Sequence, residues 1–212
     1  MKLYLIRHGE TDYNKQKKNQ GQIDVPLNEF GRELAVKTGE GLRDVPFDLC
    51  LCSPLGRARE TAELILKDRG VPIKTDERII EVSFGKYEGR CWDPEAWDEE
   101  MPREFQCFFD EPGNYQAPSD GESLETLKKR TGDFLEDICC RSEYQDFTIL
   151  VSTHGAALAG ILANIKGLPI ERFWGEGCSR NCGVTEVLVK DGVPEILSEN
   201  VAYYDTSTSN IK

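Results

Sequence analysis

Histidine is almost missing from this chain: two residues in 212, at positions 8 and 154. Positive charge is also in short supply, with 26 Lys and Arg against 38 Asp and Glu and a formal net charge of −12. A nucleic-acid backbone or an acidic membrane calls for a basic face, so neither partner is expected. An anionic small molecule stays compatible, because a local pocket can be positive on an acidic protein. No apolar run approaches the roughly 18 residues of a membrane span. The run after Lys2 is too short, and too soon charged, for a secretory leader, which makes the cytoplasm the expected location. The eight cysteines lack a paired C-x-x-C spacing: Cys50 and Cys52 alternate, Cys139 and Cys140 adjoin, and Cys178 and Cys182 flank a loop. Reduced, mostly packing thiols are expected, with no zinc site and no other metal or cofactor. No internal repeat is visible.

What is present is an ordinary globular composition, 39% hydrophobic and 30% charged, long enough for one domain over residues 1–212 with a sizeable core. KLYLIR is a short buried strand. Residues 28–43 form a helix with Asn28 as its cap, and FDLCLCS (47–53) a second strand. Residues 56–70 form a helix ended by Gly70, and 71–89 a short strand followed by irregular chain. A long helix runs from about Glu122 to Cys140, with Ser119 or Asp120 near its start. FTILVST (147–153) is a buried strand, HGAALAGILANIKG (154–167) a small-residue helix, and GVTEVLVK and PEILSEN two late strands. Alternating strands and helices predict an α/β three-layer sandwich: a mostly parallel central sheet flanked by helices, with a small lid insertion at 91–118.

In such sheets ligands bind beyond the carboxyl ends of strands. Arg7 and His8 follow the first strand, Ser53 and Arg57 the second, and His154 and Gly155 the strand at 147–153. The topology therefore predicts both histidines and Arg57 at one sheet edge. Gly155 opens a helix whose N-terminal N–H groups and dipole favour an anion. Arg7 and Arg57 keep their charge and can each grip two phosphate oxygens. This is the composition of a phosphate pocket, with water, serine or histidine as the attacking group. An imidazole among cations stays unprotonated, and so nucleophilic. A carboxylic acid is the natural proton donor to the leaving oxygen.

The motifs LIRHGETDYN, QGQIDVPLNEFGRELA, SPLGRARETAE, EVSFGKYEG, PSDGESLETLKKR and VSTHGAAL, in this order, resemble those of the histidine phosphatase superfamily, also called phosphoglycerate mutase-like. The resemblance runs from Leu3 to about Leu188. It implies that His8 becomes phosphohistidine, that Arg7, Arg57 and His154 bind the phosphoryl group, and that Glu81 donates the proton. It places Asn14 and Gln20 in the pocket and the backbone N–H of Gly155 or Ala156 in the phosphate cradle. Glu88 is the other carboxylate in the same motif, with a structural role expected. Arg59, two residues from Arg57, is expected to face away as a solvated helix charge.

Phosphatases and mutases of this kind share one centre and differ in what covers it. The mutase branch, as the resemblance implies, carries a basic lid. Segment 91–118 holds eight acidic residues and one basic residue, Arg103, which disfavours highly anionic substrates by like-charge repulsion. Its six aromatics, Trp92, Trp97, Phe105, Phe108, Phe109 and Tyr115, are expected mostly to pack the lid onto the core. The expected activity is a metal-independent phosphomonoesterase acting on a small phosphorylated metabolite. The alternatives are a cofactor-dependent phosphoglycerate mutase and a non-catalytic phospho-ligand-binding module. Monomer and homodimer both stay open.

Overall fold

The computed structural model describes residues 1–96 and 101–206. In chain order it contains β1 (Lys2–Arg7), α1 (Asp12–Lys15), α2 (Glu29–Gly41), β2 (Leu49–Cys52), α3 (Gly56–Leu66) and β3 (Ile73–Thr75). There follow α4 (Cys107–Asp110), α5 (Leu124–Cys140), β4 (Thr148–Thr153), α6 (Gly155–Ile165), β5 (Val184–Lys190) and β6 (Val193–Val201). The six strands form one sheet in the order β3-β2-β4-β1-β5-β6. The first four are parallel, and β5 runs antiparallel to β1. β6 returns antiparallel to β5 through Asp191 and Gly192, both at positive φ, as a two-residue Asp-Gly hairpin requires.

Side-chain alternation divides the strands between two cores. Leu3 and Leu5 of β1, Leu49 and Leu51 of β2, and Ile149 and Val151 of β4 face α5 and α6. Tyr4, Ile6, Cys50, Cys52 and Leu150 face α2 and α3 on the other side. Helices on both faces of a mostly parallel sheet are the architecture expected from the strand and helix alternation. All eight cysteines are unpaired, and burial pushes the Cys52 thiol up to about 12.

The acidic segment contributes to a third cluster. Phe105, Phe108 and Tyr115 are buried with Val82 and Phe84, Leu124 and Leu127 of α5, and Ala156 of α6. Phe109 stacks on Trp174 at 5.9 Å, and Trp92 lies against Phe109 at 5.4 Å. Trp97 lies outside the described residues. The aromatics that can be followed pack mainly against one another and the core, as expected.

Several boundaries move. Asn28 caps α2, its Oδ1 accepting from the Gly31 N–H at 2.8 Å. α5, however, starts one turn later than Ser119 or Asp120: Ser123 is the cap, accepting from the Thr126 N–H at 3.2 Å. The reason is the turn before it, where Gly121 N–H donates to Pro118 O and Glu122 N–H to Ser83 O. α3 ends at Leu66, before the Gly70 expected to end it, with Lys67 at positive φ (45°) and Gly70 also at positive φ (66°). The short helix α1, closed by a Thr11–Asn14 capping box, was not anticipated. It lies within LIRHGETDYN and is too short for a periodic signal.

Candidate active site

Parallel pairing of β1 with β4, and of β4 with β2, aligns three strand ends. Arg7 sits opposite Thr153, and Cys52 opposite Ser152, so His8, His154 and Ser53 emerge together at the carboxyl edge. The His8 and His154 ring centroids are 5.2 Å apart. His8 is 2% exposed and His154 fully buried.

His8 Nδ1 lies 2.7 Å from Gly9 O. A carbonyl oxygen only accepts, so Nδ1 carries the proton. Burial, then Arg57, then Arg7, push the His8 pKa well below its ordinary value. The ring is therefore neutral, and its lone pair is on Nε2. Cations were expected to keep this imidazole unprotonated; the larger cause is burial. Gly9 is needed for closeness, because a Cβ there would lie 2.5 Å from Gly31 O. The Gly9 N–H donates to Thr61 Oγ1 at 2.9 Å, which locks the turn onto α3.

Arg57, fully buried on the first turn of α3, donates through Nη1 to Ile23 O and through Nη2 to Gly21 O, both at 2.7 Å. Its Nε is buried without a partner. Burial lowers its pKa to about 10, which keeps it charged at neutral pH. Arg7 Nη1 donates to Ser179 O at 2.7 Å and meets Cys178 Sγ at 3.3 Å. Its Nε too is buried and unpartnered. Two guanidinium groups with an unmatched N–H in a buried site suit an anionic ligand.

Asn14 Oδ1 accepts from the Thr11 N–H at 3.1 Å and from Asn181 Nδ2 at 3.4 Å, which turns its NH2 the other way. Gln20 Oε1 accepts from Thr11 Oγ1 at 2.9 Å, with the same consequence. Thr11 thus orients two amides at once.

Glu81 is nearly buried. Its Oε1 accepts from the N–H groups of Val82 and Ala157, each at 3.0 Å, and its Oε2 from that of Ala156 at 3.2 Å. The Ala156 N–H assigned above to the phosphate cradle is thus held by this carboxylate, because an acidic side chain at a helix N-terminus satisfies the same donors that an anion would. Glu88 accepts from the N–H groups of Gln22, Ile23 and Phe84, the structural role expected of it. Arg59 is half-exposed and pairs with Glu63.

Three supporting groups went unassigned in the sequence. Arg130 donates to the backbone carbonyls of Arg78, Ile80 and Glu81 while gripping Glu122 through two bonds of 2.7 Å. Glu122 lies just before the Ser123 cap and reaches Arg130 from outside the helix, so helical spacing, which pairs residues three or four apart, carried no signal for it. Asn181 Nδ2 reaches His8 O at 2.9 Å from a loop without periodicity, so nothing in the sequence marked it. Ser53 Oγ lies 2.6 Å from His154 Nε2.

A mostly parallel α/β sheet whose ligand edge gathers two neutral histidines, two arginines and a buried carboxylate has the composition to hold a phosphate ester. The chain belongs to the histidine phosphatase superfamily, branch 1, whose family model matches residues 3–202. It is 34% identical over 189 residues, 88% of this chain and 84% of the other, to the "Probable phosphoglycerate mutase GpmB" of Erwinia tasmaniensis. It is 32% identical over 192 residues, 86% of this chain and 87% of the other, to the "Adenosylcobalamin/alpha-ribazole phosphatase" of Escherichia coli K12. Among solved structures, Bacillus stearothermophilus YhfR superposes with a TM-score of 0.87 at 33% identity, covering 95% of this chain and 98% of that one.

Among the described residues, no group of three or more His, Cys, Asp or Glu is placed to hold a metal ion. Among those same residues, no helix is long and apolar enough to cross a membrane.

Proposed function

We propose that this chain is a metal-independent phosphomonoesterase of small phosphorylated metabolites, working through a phosphohistidine. The observation that carries the reading is the His8 Nδ1 bond to Gly9 O, which leaves Nε2 bare on a neutral ring. In the first step His8 Nε2 attacks phosphorus, the bond from phosphorus to the ester oxygen breaks, and Glu81 protonates the departing alcohol. In the second step Glu81 takes a proton from water, which attacks phosphorus and frees His8 and inorganic phosphate. Arg7 and Arg57 neutralise the phosphoryl oxygens, His154 stabilises the charge that develops, and Asn14 and Gln20 present their amide N–H groups. The N–H of Gly155, with that of Ala156 when Glu81 swings to the leaving group, completes the cradle.

The test is His8→Ala assayed on an aryl phosphate with and without a chelator. Wild-type hydrolysis should survive chelation, and the variant should lose at least about a thousandfold in kcat. A variant retaining hydrolysis overturns the mechanism. An acid-labile, base-stable phosphoenzyme label, absent from His8→Ala, is expected, and it excludes a binding module without turnover.

The mutase reading is kept alive by the name of the Erwinia relative. It requires interconversion of 3- and 2-phosphoglycerate, dependent on the bisphosphorylated compound and faster than hydrolysis. Conversion slower than hydrolysis is the expected result.

A further inference from the structure

His154 has a neighbour with no role so far. Ser53, 1% exposed at the end of β2, places Oγ 2.6 Å from His154 Nε2, while His154 Nδ1 is buried without a partner. Ser53 Oγ already accepts from the Leu55 N–H at 3.3 Å. Among the described residues, His154 Nε2 is the other group within hydrogen-bond reach of this hydroxyl. The imidazole is neutral, because burial and the nearby Arg57 push its pKa down, so one ring nitrogen carries the proton and the other does not.

Two arrangements exist. If Nε2 carried the proton, it would donate to Ser53, stranding the serine hydroxyl hydrogen and a bare Nδ1. If Ser53 donates to Nε2, the serine is fully matched, and one group alone, an Nδ1–H, lacks a partner. The second leaves fewer buried polar groups unsatisfied, and the group it leaves is a donor on a ring whose centroid lies 5.2 Å from that of His8.

We propose that Ser53 is a positioning residue that fixes the His154 tautomer with the proton on Nδ1, so that this N–H is aimed at the transferring phosphoryl group. Ser53 does not touch substrate; it acts through His154. The consequence for rate rests on the phosphoryl-transfer reading above, but the tautomer does not.

The chain's poverty in histidine makes the test clean. Ring-nitrogen NMR of isotope-labelled protein gives two imidazole patterns, and His8→Ala assigns them. In the wild-type protein both rings should carry the proton on Nδ1. A His154 ring protonated on Nε2 overturns the proposal without any Ser53 variant. In Ser53→Ala, the His154 proton should move wholly or partly to Nε2 while the His8 pattern, the internal control for folding, stays. The kcat for an aryl phosphate should then fall about tenfold, with KM changing less. A Ser53→Ala protein that keeps the wild-type tautomer, or the wild-type kcat, overturns the proposal. Failure of the phosphoryl-transfer reading looks different: hydrolysis persists in His8→Ala, with the wild-type His154 tautomer still on Nδ1.

Discussion

His8 and His154 are buried bases kept neutral by their surroundings, and that ties stability to pH. Burial is the first cause for both, and Arg57 the second. Their folded pKa values lie below the ordinary histidine value, so at acidic pH the unfolded chain binds protons that the folded protein does not. Stability from this source is fully present above about pH 6.5 and is lost as pH falls from there toward the folded pKa values. Each ring contributes a slope of about 1.4 kcal/mol per pH unit in that window. The full slope is reached only once the unfolded ring is fully protonated, so urea unfolding between pH 6.5 and 5.5 should show His154→Gln with a shallower loss than the wild type by about 1 kcal/mol. Equal slopes would mean that His154 is not held neutral. Activity should likewise extend below the pH at which a free imidazole protonates, because His8 keeps its lone pair there. The same low-dielectric setting makes each hydrogen-bond partner matter, from Gly9 O on His8 to Ser53 on His154.

At the level of elements, the His8 turn is fixed by two glycines that let backbones cross. A Cβ on Gly31 of α2 would lie 2.1 Å from Glu10 O and 2.5 Å from Glu10 N, just as one on Gly9 would strike Gly31 O. The neighbours are main chain and cannot move aside without shifting the whole turn. Gly31→Ala should therefore cost about 1–3 kcal/mol, and should reduce hydrolysis as well as stability because the displaced turn carries His8. A urea midpoint indistinguishable from wild type would show that the crossing has slack. The other fixing points are helix ends: Thr61 of α3 holds the Gly9 N–H, and Asp24 caps α3, accepting from the Gly56 N–H at 2.8 Å. Arg57, on the next residue, is aimed by that cap and by the carbonyls of Gly21 and Ile23.

At the scale of the molecule, the described residues of the acidic segment from Phe105 to Tyr115 are built into the protein and not laid over it. Phe108, 1% exposed, touches the rings of Phe84, Phe105, Phe109, Tyr115 and Trp174 at centroid distances from 4.9 to 5.9 Å. Trp174 Nε1 donates to Phe108 O at 2.6 Å. Trp174 also lies four residues before Cys178, in the stretch that leads to Arg7's partners, so the segment and the phosphate edge share a support. Phe108→Ala should cost about 3–5 kcal/mol. Because its cluster includes Leu124 and Leu127 of α5 and Ala156 of α6, the loss should lower one cooperative transition. A separate early transition in calorimetry, with the main one unmoved, would show the segment to be an independent flap.

The sequence by itself determined the alternation of strands and helices, the mostly parallel sheet flanked by helices, and the Asn28 cap. These rest on interactions within a few residues, where spacing along the chain is spacing in space. It also carried the ordered motifs through which the family is recognised, since His-Gly after a strand has local meaning. Only the tertiary structure decided which partners those groups meet. Ser53 and His154 are 101 positions apart, Asn181 and His8 173, and Glu81 and Ala157 76. Nothing in local spacing sets such distances. They follow from the register of β1, β2 and β4, which is fixed when the buried faces pack, and the register in turn sets tautomer, charge and reach at the sheet edge.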